Sequence, residues 1–163
     1  MNIMKTSLIQ VDFDPVIHQP GLSKFIKNAC ATALSLTAPD RQLGISILVC
    51  DDEQIRELNR TYRGIDHTTD VLSFEDCYEL PGTDIYHLGD IAISYPAAVG
   101  QSKAAGHSIE AEISLLAVHG VLHLLGFDHA TVEEKELMWS MQSKCLLELG
   151  LEIKSITGDS DNA

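Results

Sequence analysis

The sequence predicts an α+β fold: a single domain with a small mixed four-stranded sheet packed with about five helices, in the order β-α-β-α-β-β-α-α-α. Three observations lead there. Short apolar runs fit to be strands are separated by longer stretches whose apolar residues recur at the helical period. The 163 residues, 45% of them hydrophobic, can bury a core without disulfide staples. No repeat, low-complexity tract or linker-like stretch divides the chain before its polar end. Residues 1–153 are therefore expected to form one domain and residues 154–163 a disordered tail.

The elements follow in order. Residues 7–13 (SLIQVDF) suit a first strand, and Gln19-Pro20-Gly21 a turn. Leu22, Phe25, Ile26, Ala29, Ala33 and Leu34 keep a helical period, which Ala38-Pro39 ends. ISILVC (45–50) reads as a buried strand. Asp51 and Asp52 offer caps to a helix with Ile55, Leu58 and Tyr62 on one face, and Gly64 stops it. VLSF (71–74) and DIAIS (90–94) are two more strands. The acidic, turn-rich EDCYELPGTD between them has no period and reads as a mobile loop. Ser94 can cap the next helix, with Pro96 in its first turn. Another helix runs from about Ile109 to Leu125 and closes at Gly126. Thr131 and Glu134 form a capping-box pattern for the last, whose apolar stripe is Leu137, Met138, Met141, Cys145 and Leu149. Early βαβ crossovers favour parallel pairs, while strands three and four are close enough for one antiparallel pair.

Composition narrows the function. No apolar run approaches the roughly 20 residues of a membrane span. The opening MNIMKTSLIQVDFD does not read as a secretory signal, so a cytoplasmic location is expected. Cys30, Cys50, Cys77 and Cys145 form no Cys-x-x-Cys clip and read as reduced thiols. The net charge of −13 lacks the basic footprint of a nucleic-acid binder, so any such role needs a local patch, a partner or a metal.

The informative segment is HGVLHLLGFDH, residues 119–129. His119 and His123 are one helical turn apart and share a face, so two nitrogens can reach one ion. Gly126 ends the helix, the chain turns back, and His129 can supply a third ligand. Three neutral imidazoles suit one Zn2+ per chain with a fourth position open; Ni2+ would also suit them. His-x-x-x-His-x-x-Gly-x-x-His is the metzincin protease spacing, but the protease base, Glu directly after the first His, is here Gly120. Asp128 could orient His129, aid proton transfer, or bond its own turn. Glu112, seven residues before His119 on the same helical face, is a candidate supporting carboxylate. His18, His67, His87 and His107 fall in expected loops or turns and read as solvent-facing.

Arg56, Arg60 and Arg63, three of 11 basic residues, recur on one helical face and are candidate RNA contacts. Arg63 stands at the helix end, where a cation is favoured and can reach into a cleft.

LNRTYRG (58–64), TDVLSF (69–74), LGDIAIS (88–94) and HGVLHLLGFDH (119–129) together resemble the YbeY bacterial endoribonucleases, or rRNA maturation factors, over about residues 5–150. The resemblance implies a metal-dependent, single-strand-specific endoribonuclease acting at the 3′ end of small-subunit rRNA and in ribosome quality control. It implies His119, His123 and His129 as zinc ligands and Arg63 as the catalytic cation. Ribosomal RNA, small-subunit proteins and an assembly GTPase are the implied partners. Glu75 stands where many relatives have Pro, and the chain is acidic for an RNA enzyme. The attacking group is open: water activated by the metal, solvent water, or the ribose 2′-OH, with Arg63 stabilising phosphoryl charge. Two competing readings are a metal-dependent hydrolase of another class, such as a peptidase, and a non-catalytic ribosome-assembly factor with structural zinc. The latter usually needs a fourth protein ligand, for which Cys145 is the nearest cysteine in sequence.

Overall fold

The computed structural model describes residues 7–153; the expected tail at 154–163 lies outside them. The order is β1 (Leu8–Phe13), α1 (Ser23–Thr37), β2 (Leu43–Cys50), α2 (Asp52–Arg63), β3 (Val71–Glu79), β4 (Tyr86–Ser94), α3 (Tyr95–Ala105), α4 (Ile109–Leu124) and α5 (Val132–Glu148), with a 3₁₀ turn at Pro20–Leu22. This is the predicted α+β order. One sheet runs β1-β2-β4-β3. β2 pairs parallel with β1 and β4, and β3 lies antiparallel on β4 at the edge. The crossover through α2 and β3 thus places β4, not β3, beside β2.

Strands β2 and β4 are central and bury residues on both faces, which is why each reads as an apolar run. On one face α1 packs on α4 over a core that includes Ile26, Leu34, Ile45, Ile47, Ile91 and Leu122. A smaller cluster, Cys50, Ile55, Leu72 and Ala92, lies where α2 covers the sheet. Helix α4 is buried from Ala111 to Leu122 and packs against α1, α3, α5, β3 and β4. A helix enclosed on all sides is apolar all round, so any polar side chain on it is held in a dry setting.

Two residues without side chains let neighbouring elements approach. A Cβ on Gly120 would meet Ile91 Cγ2 at 2.9 Å, so α4 sits directly on β4. A Cβ on Gly89 would stand 2.1 Å from the Phe74 carbonyl oxygen, beside the β3–β4 irregularity between Glu75 and Tyr78.

The first half of the expected mobile loop at 75–84 is strand. β3 continues to Glu79 and the chain turns within 80–85, closed by Leu80 N–H donating to Ile85 O at 2.9 Å. The bulge breaks the period-two pattern, and the edge position leaves Glu75 through Glu79 largely exposed, so no alternating apolar signal survives. His87, expected to face solvent, is 8% exposed on β4 and stacks on Tyr78 across the hairpin with centroids 4.7 Å apart. His107 is half-buried against Glu112. In α5 the buried stripe is Met138, Gln142, Cys145 and Leu146, while Leu137 is exposed. Among the described residues no helix is long and apolar enough to cross a membrane.

Candidate metal centre and its cleft

Two α4 turns place His119 and His123 on the side of the helix that meets α5 and β3. The helix then closes in a double turn: Gly126 N–H donates to His123 O and Phe127 N–H to Leu122 O, both at 3.0 Å. Gly126 takes φ +96°, the left-handed geometry this closure needs. The reversal brings His129 back over the helix end. Asp128 Oδ1 accepts the His129 backbone N–H at 2.7 Å and fixes that return. Thr131 and Glu134 complete the capping box that starts α5.

The three imidazoles converge. Their ligand nitrogens all lie within 4.8 Å of one another. His119 Nε2 and His123 Nε2 are 3.1 Å apart. Two ring lone pairs facing at that distance repel unless a proton or a cation stands between them. A tetrahedral zinc with Zn–N bonds of about 2.0–2.1 Å needs nitrogens about 3.3–3.4 Å apart, so the pair fits. Burial lowers the pKa of His119, offset in part by the Gln142 hydrogen bond and by Asp70. Burial, then the neighbouring His119 and His129, lowers that of His123 to about 4. Both rings are therefore neutral at pH 7, as a metal ligand must be. Among the described residues no cysteine or carboxylate joins this group, and Cys145 remains buried in α5.

Beside the histidines opens a cleft of about 260 Å³, lined by Arg63, Ser73, Glu75, His123, Leu124, Gly126, Phe127 and Asp128. Arg63 arrives from the last turn of α2, and Ser73 and Glu75 from the face of edge strand β3 that meets α4. Ser73 Oγ donates to the Gly120 carbonyl at 3.0 Å and ties β3 to the helix that carries His119 and His123. The other two arginines are engaged elsewhere: Arg56 with Asp66 at 2.9 Å, and Arg60 Nε with Glu57 at 3.1 Å. Glu112 bonds His107, and the side chain bonded to His119 Nδ1 is instead Gln142, through Oε1 at 3.0 Å.

Sequence reasoning passed over Gln142, Ser73 and the inward approach of Glu75. The signal for Gln142 was a polar residue set at helical spacing between Met138 and Cys145. Nothing in the pattern of β3 marks Ser73, because its role depends on which helix lies above it.

The arrangement has known counterparts. The sequence profile of the family described as endoribonuclease YbeY matches residues 10–150. A protein of Caldicellulosiruptor saccharolyticus named endoribonuclease YbeY is 38% identical, over 88% of this chain and 97% of its own length. One of that name from Caldanaerobacter subterraneus is 41% identical, over 83% of this chain and 92% of its own. The solution structure of a Thermotoga maritima protein, 21% identical, superposes with a TM-score of 0.56 over 93% of this chain and 99% of that one, which shows the shared fold.

Proposed function

Because the chain belongs to the endoribonuclease YbeY family, we propose that it is a zinc-dependent endoribonuclease that cuts single-stranded RNA. Its task is maturation of the 3′ end of small-subunit rRNA and ribosome quality control, in the cytoplasm. The observation that carries the reading is the shared cleft: Arg63 and His123 line one space, so a cation and a three-imidazole group face the same substrate.

In this reading His119, His123 and His129 hold one divalent ion. When bound, zinc polarises phosphoryl oxygens and acidifies water toward a pKa of about 7; nickel would suit the same donors. Arg63 pairs with the scissile phosphate and stabilises charge building on its non-bridging oxygens. Asp128, at the cleft and already accepting the His129 N–H, orients that histidine and offers a carboxylate for proton transfer. Arg56 and Arg60, on the exposed face of α2, extend the cationic track for the RNA backbone despite their acidic partners.

The competing readings find less support. A peptidase of metzincin type needs a Glu at position 120, where even a Cβ would crowd Ile91 Cγ2 at 2.9 Å. A structural zinc needs a fourth protein ligand, and none is at hand among the described residues. With a net charge of −13, the chain meets its substrate through small-subunit proteins or an assembly GTPase that present the RNA.

The test uses the purified chain and a fragment of small-subunit rRNA 3′ end, single-stranded or annealed to a complement. Cutting of the single strand should stop with a chelator and return with zinc or nickel. His123→Ala should lose most of the metal and the activity. Cutting that ignores both chelator and His123→Ala would overturn the reading.

A further inference from the structure

Gln142 is fully buried in α5, in line with Met138, Cys145 and Leu146. A long amide costs free energy in such a stripe unless its polar atoms are satisfied. Only one half is: Oε1 lies 3.0 Å from His119 Nδ1, while Nε2 of the amide has no partner among the described residues. An apolar side chain would fill the stripe without that orphan. The retained polar contact is the one to His119.

The contact has a chemical consequence. A neutral imidazole carries its proton on either nitrogen. An accepting oxygen at Nδ1 holds the proton there, and Nε2 then keeps its lone pair. His119 Nε2 is the atom that faces His123 Nε2 at 3.1 Å. With the proton on Nε2 instead, His119 could not donate a lone pair into the space between the rings. We infer that Gln142 is a positioning residue that locks His119 in the Nδ1–H form and so presents Nε2 to the metal. The inference rests on the metal reading of the three histidines.

The choice of an amide over a carboxylate also has a reason. A carboxylate at this place would raise the basicity of the ring and cancel part of the ion's charge. An amide orients the ring and leaves that charge for an anionic phosphate. The device reaches the site from a helix whose other buried residues are core, and through it the docking of α5 sets the state of the ligand.

The test reads the ring directly. Long-range ¹H–¹⁵N correlation spectra of the metal-free protein report which nitrogen of His119 is protonated. Wild type should show the Nδ1–H form. Gln142→Met, close in shape, should melt as a folded protein, show a mixture of both forms, and bind zinc about 10–100-fold more weakly in a chelator competition. Gln142→Glu should restore the single form and the affinity. A Gln142→Met variant with wild-type zinc affinity, or a wild-type His119 protonated on Nε2, would overturn the inference. Lack of zinc uptake by wild type would overturn the metal reading alone, since the metal-free spectrum still decides the tautomer.

Discussion

Adding one methyl group at Gly120 sets two known effects against each other. Gly→Ala inside a helix gains up to about 1 kcal/mol from backbone entropy. Here the new Cβ would meet Ile91 Cγ2 at 2.9 Å, Cδ1 at 3.1 Å and Cγ1 at 3.3 Å. Ile91 cannot step aside: it is 1% exposed, β-branched and held in the central strand. Overpacking of this kind costs about 1–3 kcal/mol. The clash should win, leaving Gly120→Ala destabilised by about 0.5–2 kcal/mol in urea unfolding of the metal-free chain. Lifting α4 from β4 also strains the Ser73–Gly120 hydrogen bond and displaces His119, so zinc affinity should fall with stability. Ile91→Ala should cost about 2–5 kcal/mol alone. Combined with Gly120→Ala it should cost about 1–2 kcal/mol less than the sum, because the methyl now fills the space vacated. A Gly120→Ala variant as stable as wild type, or strict additivity in the double variant, would refute the packing argument.

Arg63→Ala should lower the rate of RNA cutting by about 10²–10³-fold, the cost of one preorganised donor, with zinc content by elemental analysis unchanged; a wild-type rate would remove Arg63 from the chemistry. Burial lowers the His123 pKa to about 4 from an ordinary 6.5, so between those values the unfolded chain binds more protons than the folded one. The metal-free protein should therefore lose stability as pH falls from 6.5 to 4. A His123→Leu variant should show a shallower decline in melting temperature between about pH 6.5 and 4; parallel declines would contradict the assignment. At fixed salt, cutting on assembled small-subunit particles should be faster than on naked RNA of the same sequence, and equal rates with tight binding to the naked strand would remove the need for a presenting partner.

The fold was legible wherever burial on both faces or a helical stripe wrote itself into the sequence. β2, β4 and α1 are of that kind, and the caps at Asp51, Ser94 and Thr131 marked three helix starts that the structure keeps. The hairpin arm from Glu75 to Glu79 was not legible, since an exposed edge strand with a bulge owes its form to pairing with β4. His87 was misplaced for the same reason. In the site, local spacing sufficed to bring His119, His123 and His129 together, because a helical turn and its glycine closure are short-range facts. Glu112 shows the limit of such reasoning: a shared helical face did not make it the partner of His119, since its helix begins beside His107. Gln142 lies 23 residues from His119 and meets it only through the packing of α5 on α4.

An acidic chain that handles RNA needs an electrostatic account, and the site supplies one. Surface charges act over about 8 Å at physiological ionic strength, so the net −13 repels a phosphate chain mostly at close approach. Within the cleft the balance differs. Glu75 and Asp128 face Arg63 and, beside it, the neutral rings of His119 and His123. Neutral ligands would leave a divalent ion held there its full charge, which together with Arg63 would outweigh the two carboxylates. Attraction is then confined to one phosphate's width, while the surrounding surface disfavours RNA that merely drifts past. On the proposed reading, such a distribution should give weak binding to free strands and selective action on a strand that a partner holds in place. On the same reading a neutral amide behind His119 suits the site better than a carboxylate: in a cleft already carrying two acids, a third negative group would cancel the local surplus that phosphate capture would depend on.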